Sequence, residues 1–240
     1  MPLFSLSGGL IYHLRALRYG SHLWAPFRGA IGVWLAEHLP PGEELVLVGP
    51  SAGHCLPLPE LSRFRRVLVL EPDPLARRLL AHRLGAAQLE LNGVDLLVEP
   101  LLSGRPGLDV LLNERPGASL LFCNVLGQLK FELTSEQHTR FEHEFRRRLL
   151  PLLAGRAWAS FHDCWSLDRD PSEPSPSVLD FERQPSENEL GAAWFGQHGP
   201  PVTVLDHGTR ELFPASLRRR FFSWQITPRA LHIVEAVAGR

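Results

Sequence analysis

The chain has 240 residues, of which 44% are hydrophobic, and its formal net charge is −1. This length and apolar content suffice for one domain with a buried core and exclude an intrinsically disordered protein. The charge predicts no global attraction to nucleic acid or to a membrane, although a local basic patch is compatible with it. No run of about 18 apolar residues occurs, so no membrane-spanning helix is predicted. Three scattered cysteines, and no basic segment before the first apolar residues, predict a reduced cytoplasmic protein without a signal peptide.

Residues 1–40 predict an N-terminal helical cap. Over residues 24–39 the apolar side chains recur at helical spacing, and Pro40, Pro41 and Gly42 end that helix. Buried strands of the parallel type are then predicted at residues 45–48, 67–70, 95–98, 119–123 and 157–162. Helices are predicted between them at residues 58–64, 73–84, 108–113 and 134–153. This alternation predicts an α/β fold, a doubly wound sheet with helices on both faces.

The composition changes after the fifth strand. Residues 167–185 are rich in Pro, Ser and acidic residues and predict an exposed loop, which a helix follows at 187–195. Strands at 221–226 and 231–237 are separated by a short turn and predict an antiparallel hairpin. We therefore expect one domain, with the cap at 1–40, a cofactor-binding core at 44–164, an insertion at 165–215 and the hairpin at 216–240.

The turn after the first strand, Gly49-Pro50-Ser51-Ala52-Gly53, allows two interpretations. It fits the G-x-S-x-G turn of a serine hydrolase, in which Asp163 and then His207 or His232 would follow in chain order. It also fits a small-residue turn that lets a nucleotide cofactor approach a buried strand. Pro57 and Pro59 occupy the place where the helix of a hydrolase turn should begin, and this favours the cofactor.

An acid at the end of the second strand supports the cofactor interpretation. Glu71 lies 22 residues after Gly49, where a carboxylate can accept hydrogen bonds from two ribose hydroxyls. The alternative is that Glu71 caps the following helix, a role for which Asp73 is better placed. Lys130 is the only lysine among 25 basic residues. Its sequence context fits neither a P-loop nor the Tyr-x-x-x-Lys motif of short-chain reductases.

These segments resemble the class I S-adenosylmethionine-dependent methyltransferases. The resemblance rests on residues 46–53, on Val69-Leu70-Glu71-Pro72-Asp73, on the polar residues 123–128 after the fourth strand, and on the late hairpin. It implies a Rossmann-like sheet of seven strands, with the last strand inserted antiparallel between the fifth and sixth. It also implies S-adenosyl-L-methionine as cofactor and transfer of a methyl group.

The resemblance also implies roles for individual residues. Gly49, Ser51 and Gly53 would lie against the amino-acid end of the cofactor, and Glu71 would hold its ribose. Glu99 or Leu101, with Asp95 as the alternative, would lie near the adenine. Asn124 would lie near the methyl group, or would only form a turn, and Leu126 and Gln128 would shape the same rim. Position in the chain adds the histidines. His162 follows the fifth strand at the same end of the sheet and titrates near neutrality, so it is the first candidate general base and His207 is the second, although a buried histidine without a catalytic role is the simpler interpretation. His54 follows the glycine turn and would lie near either ligand.

Two departures from the family pattern motivate a second hypothesis. Leu47 stands where the family often has an acid, and Ser51 stands where it has its middle glycine. A catalytically inactive binding or regulatory subunit with this fold is therefore the alternative, and a serine hydrolase is the third.

The sequence indicates the partners only in outline. The His and Cys spacings match no zinc motif, so no metal site is predicted. We expect a small-molecule substrate. Nucleic acid is disfavoured because the Asn/Asp-Pro-Pro-Tyr/Phe segment of base methylases is absent, and the arginine triplets at 146–148 and 218–220 are typical of a solvated surface. The N-terminal segment is expected to cover the site or to dock a partner subunit. The sequence does not indicate an oligomeric state.

Overall fold

A computed structural model describes residues 9–85, 89–168, 176–196 and 204–240. Parts of the predicted cap (1–8), core (86–88) and insertion (169–175 and 197–203) lie outside these ranges. The strands of the described ranges form one nine-stranded sheet. They are β1 (Gly42–Val48), β2 (Phe64–Leu70), β3 (Leu89–Asn92), β4 (Ser119–Cys123), β5 (Trp158–Asp168), β6 (Val178–Phe181), β7 (Val204–Asp206), β8 (Arg219–Thr227) and β9 (Ala230–Gly239).

The strand order is β3-β2-β1-β4-β5-β9-β8-β6, and β7 pairs with β5 outside this path. Strands β1 to β5 are parallel. Strand β9 is antiparallel to both β5 and β8, so the last strand lies inserted between β5 and β8. The doubly wound fold and the closing hairpin are thereby confirmed, with β6 and β7 as short additions to the seven expected strands.

Helices cover both faces of the sheet. They are α1 (Leu10–Tyr19), α2 (Ala25–His38), α3 (Leu58–Leu61), α4 (Pro74–Leu84), α5 (Val98–Ser103), α6 (Leu108–Glu114), α7 (Leu129–Glu132), α8 (Ser135–Glu144), α9 (Leu150–Leu153) and α10 (Glu187–Phe195), and a π-helical segment (Phe145–Leu149) joins α8 to α9. Strand β1 shows why two layers form. Leu45 and Leu47 belong to the core beneath α2, whereas Val46 and Val48 belong to the core beneath α6 and α8, because successive side chains point to opposite faces.

The predicted capping residues act as expected. Asp73 accepts hydrogen bonds from the backbone N–H groups of Leu75 and Ala76 at the start of α4. Thr134 and Gln137 form a complete capping box at the start of α8. Each side chain satisfies backbone donors that have no partner within the helix.

The third strand was misplaced by the sequence analysis. Residues 95–98 do not form a strand; β3 lies earlier, at Leu89–Asn92. The Asp95 carboxylate instead accepts hydrogen bonds from the N–H groups of Leu97, Val98 and Glu99 and starts α5. The local preference of Asp for a helix start therefore outweighed the apolar run that suggested a strand.

Strand β5 is longer than predicted. It runs to Asp168 rather than ending at His162, because β9 pairs with it along its whole length and β7 pairs with its end. The predicted exposed loop at 167–185 contains β6, which adds to the sheet beside β8. Both differences arise because strands distant in the sequence, β9 and β8, pair with these segments.

Candidate functional site

A cleft of about 280 Å³ opens at the carboxyl ends of β1, β2 and β4. In a parallel α/β sheet this is the edge at which ligands bind, next to the point where the strand order reverses. The residues that line it come from the turn after β1, the ends of β2 and β4, α1, the segment after β3, and the segment that leads from β4 through α7. They are Gly9, Tyr12, Val48, Gly49, Pro50, Ser51, Cys55, Leu70, Glu71, Pro72, Asp73, Val94, Asp95, Leu96, Leu97, Val98, Cys123, Asn124, Val125, Gln128, Leu129 and Glu132.

The turn after β1 is built tightly against its neighbours. Gly49 has a φ of 63°, and a Cβ placed on it would lie 2.5 Å from the Cβ of Val125. Gly49 and Ser51 both line the cleft. Gly53 does not; a Cβ there would lie 2.5 Å from Leu80 Cδ1 of α4. Gly53 therefore serves helix packing, whereas the predicted role at a cofactor suits Gly49 and Ser51 by position.

The Glu71 carboxylate faces the turn from the end of β2. Its Oε2 accepts a hydrogen bond from Ser51 N at 2.8 Å, and its Oε1 accepts one from Asp73 N at 3.0 Å. Glu71 is 5% exposed, and burial raises its pKa above the usual value although both amides lower it. Each carboxylate oxygen has two lone-pair directions, so each retains one for a ligand hydroxyl.

Asn124 lies where predicted, directly after β4, and lines the cleft. It adopts a φ of 59°, in the left-handed region that Asn tolerates better than most residues. Its Nδ2 donates to Asp163 Oδ2 at 2.9 Å, and its Oδ1 accepts from Asp163 N at 2.7 Å. The amide is thus held at both ends by one residue of β5.

Gln128 and Asp163 extend this arrangement. Gln128 Nε2 donates to Asp163 Oδ2 at 2.9 Å, and His232 Nδ1 lies 3.1 Å from the same oxygen. Burial raises the pKa of Asp163, but His232 and the Asn124 amide lower it by more, so that the pKa falls to about 2. Asp163 Oδ1 has no hydrogen-bond partner among the described residues. A buried, ionised carboxylate therefore lies behind the Asn124 and Gln128 wall of the cleft.

His162 does not lie at the edge of the sheet, which corrects the prediction. It is fully buried, its Nδ1 is 2.9 Å from Ser160 Oγ, and its ring stacks on Phe213. Burial and Arg219 lower its pKa to about 3. Because side chains alternate along β5, Asp163 faces the side of the cleft and His162 faces the opposite core.

Glu99 also lies away from the cleft. It is in α5, where it forms an exposed ion pair with Arg105, because the strand expected before it is absent. The neighbouring wall is formed by residues 94–98 instead, so Asp95, the alternative, occupies the expected position. Leu101 and Leu126 are buried in the core and do not line the cleft.

The hydrolase arrangement is not assembled around Ser51. Helix α3 begins only at Leu58 and has four residues, so no helix follows the turn directly. Both nitrogens of His207 are occupied, by the Gly127 carbonyl and by Ser166 Oγ. His232 pairs with Asp163. In the described ranges no histidine makes a hydrogen bond to Ser51.

The N-terminal segment does reach the cleft, one of the two roles expected for it, whereas the charge of the cleft was not foreseen from the sequence. Tyr12 and Cys55 line it together, and α1 carries Tyr12 there. His54 lies just outside, with its Nδ1 3.0 Å from Arg83. The charged lining residues within the described part of the chain are all acids: Glu71, Asp73, Asp95 and Glu132. Glu71 and Asp73, which follow the predicted second strand, were the available signal for this charge.

The described residues hold no cluster of three or more His, Cys, Asp or Glu side chains suited to a metal ion. Of the helices in the described ranges, none has the length and apolar character needed to cross a membrane.

No protein-family model matches the sequence, and no curated protein matches it. Solved structures do match. The N-methyltransferase NodS from Bradyrhizobium japonicum WM9, in complex with S-adenosyl-L-homocysteine, is 12% identical over 94% of this chain and 98% of that chain, with a TM-score of 0.44. An S-adenosylmethionine-dependent methyltransferase from Anabaena variabilis ATCC 29413 is 14% identical over 94% of each chain, with a TM-score of 0.46. At these values each match is a likeness to another protein and nothing more.

Proposed function

We propose that the chain is an S-adenosyl-L-methionine-dependent methyltransferase that acts on a small molecule. One observation carries the proposal: a cleft at the carboxyl ends of β1, β2 and β4 lies between the Gly49 turn and the buried Glu71 carboxylate. The remaining lone pairs of Glu71 suit two vicinal ribose hydroxyls. The apolar wall at Leu96 and Leu97 suits a purine ring.

The charge of the cleft favours this cofactor over a phosphate-bearing one. The lining side chains in the described ranges include four acids and no arginine, lysine or histidine. Like charges would repel the phosphates of a dinucleotide, whereas a sulfonium and an ammonium group are cations. The ionised Asp163 behind Asn124 and Gln128 adds to this negative field.

The cofactor, when bound, supplies an activated methyl group for in-line displacement. The residues of this chain mainly position the reactants. Alignment alone lowers the activation barrier by several kcal/mol, and by about 7–11 kcal/mol at best. Asp163 fixes the Asn124 and Gln128 amides, which face the end of the cleft nearest β4. His162 is too deeply buried to take a proton from a substrate.

Calorimetric titration with S-adenosyl-L-homocysteine tests the proposal. We expect micromolar affinity for the wild-type chain and no heat with NAD. Glu71→Ala should weaken binding at least about tenfold, since each lost hydrogen bond to a charged group costs about 1.5–3 kcal/mol. Glu99→Ala is the matched control, because Glu99 lies outside the cleft, and its affinity should equal that of the wild type.

Absence of binding by the wild type, or an unchanged affinity of Glu71→Ala, would contradict the proposal. Binding without methyl transfer to any acceptor would favour the inactive binding or regulatory subunit.

A further inference from the structure

Helix α1 exposes an unbroken row of leucines. Leu10, Leu14 and Leu17 are 44%, 56% and 78% exposed. Their spacing of four and three residues places them on one face of the helix. The adjacent side of the helix is buried, with His13 and Ala16 only 5% and 6% exposed. Single exposed leucines are ordinary on a protein surface, but a row along a whole helix face marks an interaction surface.

The charge around this leucine row is strongly one-sided. Residues 1–36 contain three arginines, Arg15, Arg18 and Arg28, and neither Asp nor Glu. Among the described residues no carboxylate lies within ion-pair distance of these three guanidinium groups, whereas many other arginines of the chain have such partners. Arg18 is exposed beside Leu17 and lies over the ring of Tyr19. The net charge of −1 concealed this local excess of positive charge.

We propose that the leucine row of α1, with Arg18 beside it and Arg15 farther round the helix, binds an anionic lipid surface. A helix with an exposed apolar face and flanking arginines lies in the plane of a membrane interface, with its leucines among the acyl chains and its guanidinium groups at the headgroups. A second copy of the chain would bring the same uncompensated arginines against this face, and the like charges would repel. Anionic headgroups would instead neutralise them.

The position of α1 links this surface to the cleft. Gly9, directly before α1, and Tyr12 within it both line the cleft. Both of these lining residues belong to the N-terminal end of α1, whereas Arg15 and Arg18 lie toward its C-terminal end and do not line the cleft. A lipid surface bound to α1 would therefore lie beside the opening of the cleft. The inference does not depend on the proposed function.

Vesicle co-sedimentation of the full chain tests this inference. Wild-type protein should sediment with phosphatidylcholine vesicles that contain about 30% phosphatidylserine, and less with phosphatidylcholine alone, because anionic headgroups attract arginine. Binding should weaken as salt rises from about 0.1 M to about 1 M, where the screening length falls from about 10 Å to about 3 Å. A double substitution, Leu14→Glu with Leu17→Glu, should reduce binding at least about tenfold, because carboxylates replace the inserting side chains.

The matched control replaces two exposed valines elsewhere, Val110→Glu with Val178→Glu, which are 41% and 39% exposed. It adds the same charge and should retain vesicle binding. A second pair, Arg15→Gln with Arg18→Gln, should lose the preference for phosphatidylserine while keeping the fold. Failure of the wild type to bind vesicles would overturn the inference, as would equal losses in the leucine variant and the valine control. If the wild type does not bind vesicles, and light scattering shows that it is a dimer whereas the leucine variant is a monomer, the row contacts a second copy of the chain instead.

Discussion

At the scale of single residues, the Glu71 carboxylate is shared between the backbone and the ligand that we propose. It holds the N–H groups of Ser51 and Asp73. It therefore orders the turn and is already oriented before a ligand binds. A preoriented group loses little conformational freedom on binding, which favours affinity.

The raised pKa of Glu71 predicts a pH-dependent affinity. Burial favours its neutral form, and the neutral carboxyl is the weaker acceptor for ribose hydroxyls. The affinity for S-adenosyl-L-homocysteine should therefore fall as the pH is lowered through this raised pKa, starting at a higher pH than for an ordinary glutamate. Calorimetry across this pH range measures the effect.

Glu71→Gln is the control, because an amide has no such titration and its weaker binding should not change over the same range. A wild-type affinity that stays constant down to the ordinary pKa of glutamate would show that Glu71 does not contact the ligand.

Residues directly after a strand were the most predictable part of the site. Glu71 and Asn124 could be placed because 67–70 and 119–123 are apolar runs that end in polar residues. Glu99 and His162 could not. The position of Glu99 depended on a strand that a helix start replaced, and the position of His162 depended on β9, a strand about 70 residues later in the chain.

At the scale of elements, the turn between β1 and α3 determines how closely β4 can approach the cleft. Gly49 combines a positive φ with contact to Val125, which follows β4 and also lines the cleft. The sequence showed the glycines but not their different neighbours. Gly53 and Leu80 meet at a helix, whereas Gly49 and Val125 meet at the cleft.

Gly49→Ala should destabilise the fold by about 2–5 kcal/mol, the sum of left-handed strain at a non-glycine residue and overpacking against Val125. Urea unfolding gives this difference in the free energy of unfolding. Gly104→Ala is the control, since Gly104 has a φ of 77° but nothing within 4 Å of its added Cβ. It should show the strain alone, about 1–2 kcal/mol. Equal costs at the two positions would refute the packing role of Gly49.

At the scale of the whole molecule, the N-terminal helices and the C-terminal hairpin form one core. Trp24 Nε1 donates to the Ile226 carbonyl at 3.1 Å, and the Trp24 ring packs edge-on against Trp224. Phe27 stacks on the same Trp224 ring. The fold class and the hairpin were predictable from alternation and turn length. This closure was not, because it joins residues about 200 positions apart.

The closure explains why α1 reaches the cleft. Helix α2 is fixed on β8 through these aromatic contacts, and the short connection before it places α1 across the carboxyl edge of the sheet. A wall of the cleft and the leucine row thus belong to one helix. Tyr12 on one side of it lines the cleft, and the leucines on another side are exposed.

A crystal structure of the chain with S-adenosyl-L-homocysteine tests the central claim most directly. We predict that both ribose hydroxyls lie within hydrogen-bond distance of the Glu71 carboxylate, with the purine against Leu96 and Leu97 and the sulfur toward Asn124. A nucleoside bound outside this cleft, or a Glu71 carboxylate that contacts only Ser51 and Asp73 while the ligand is present, would contradict it.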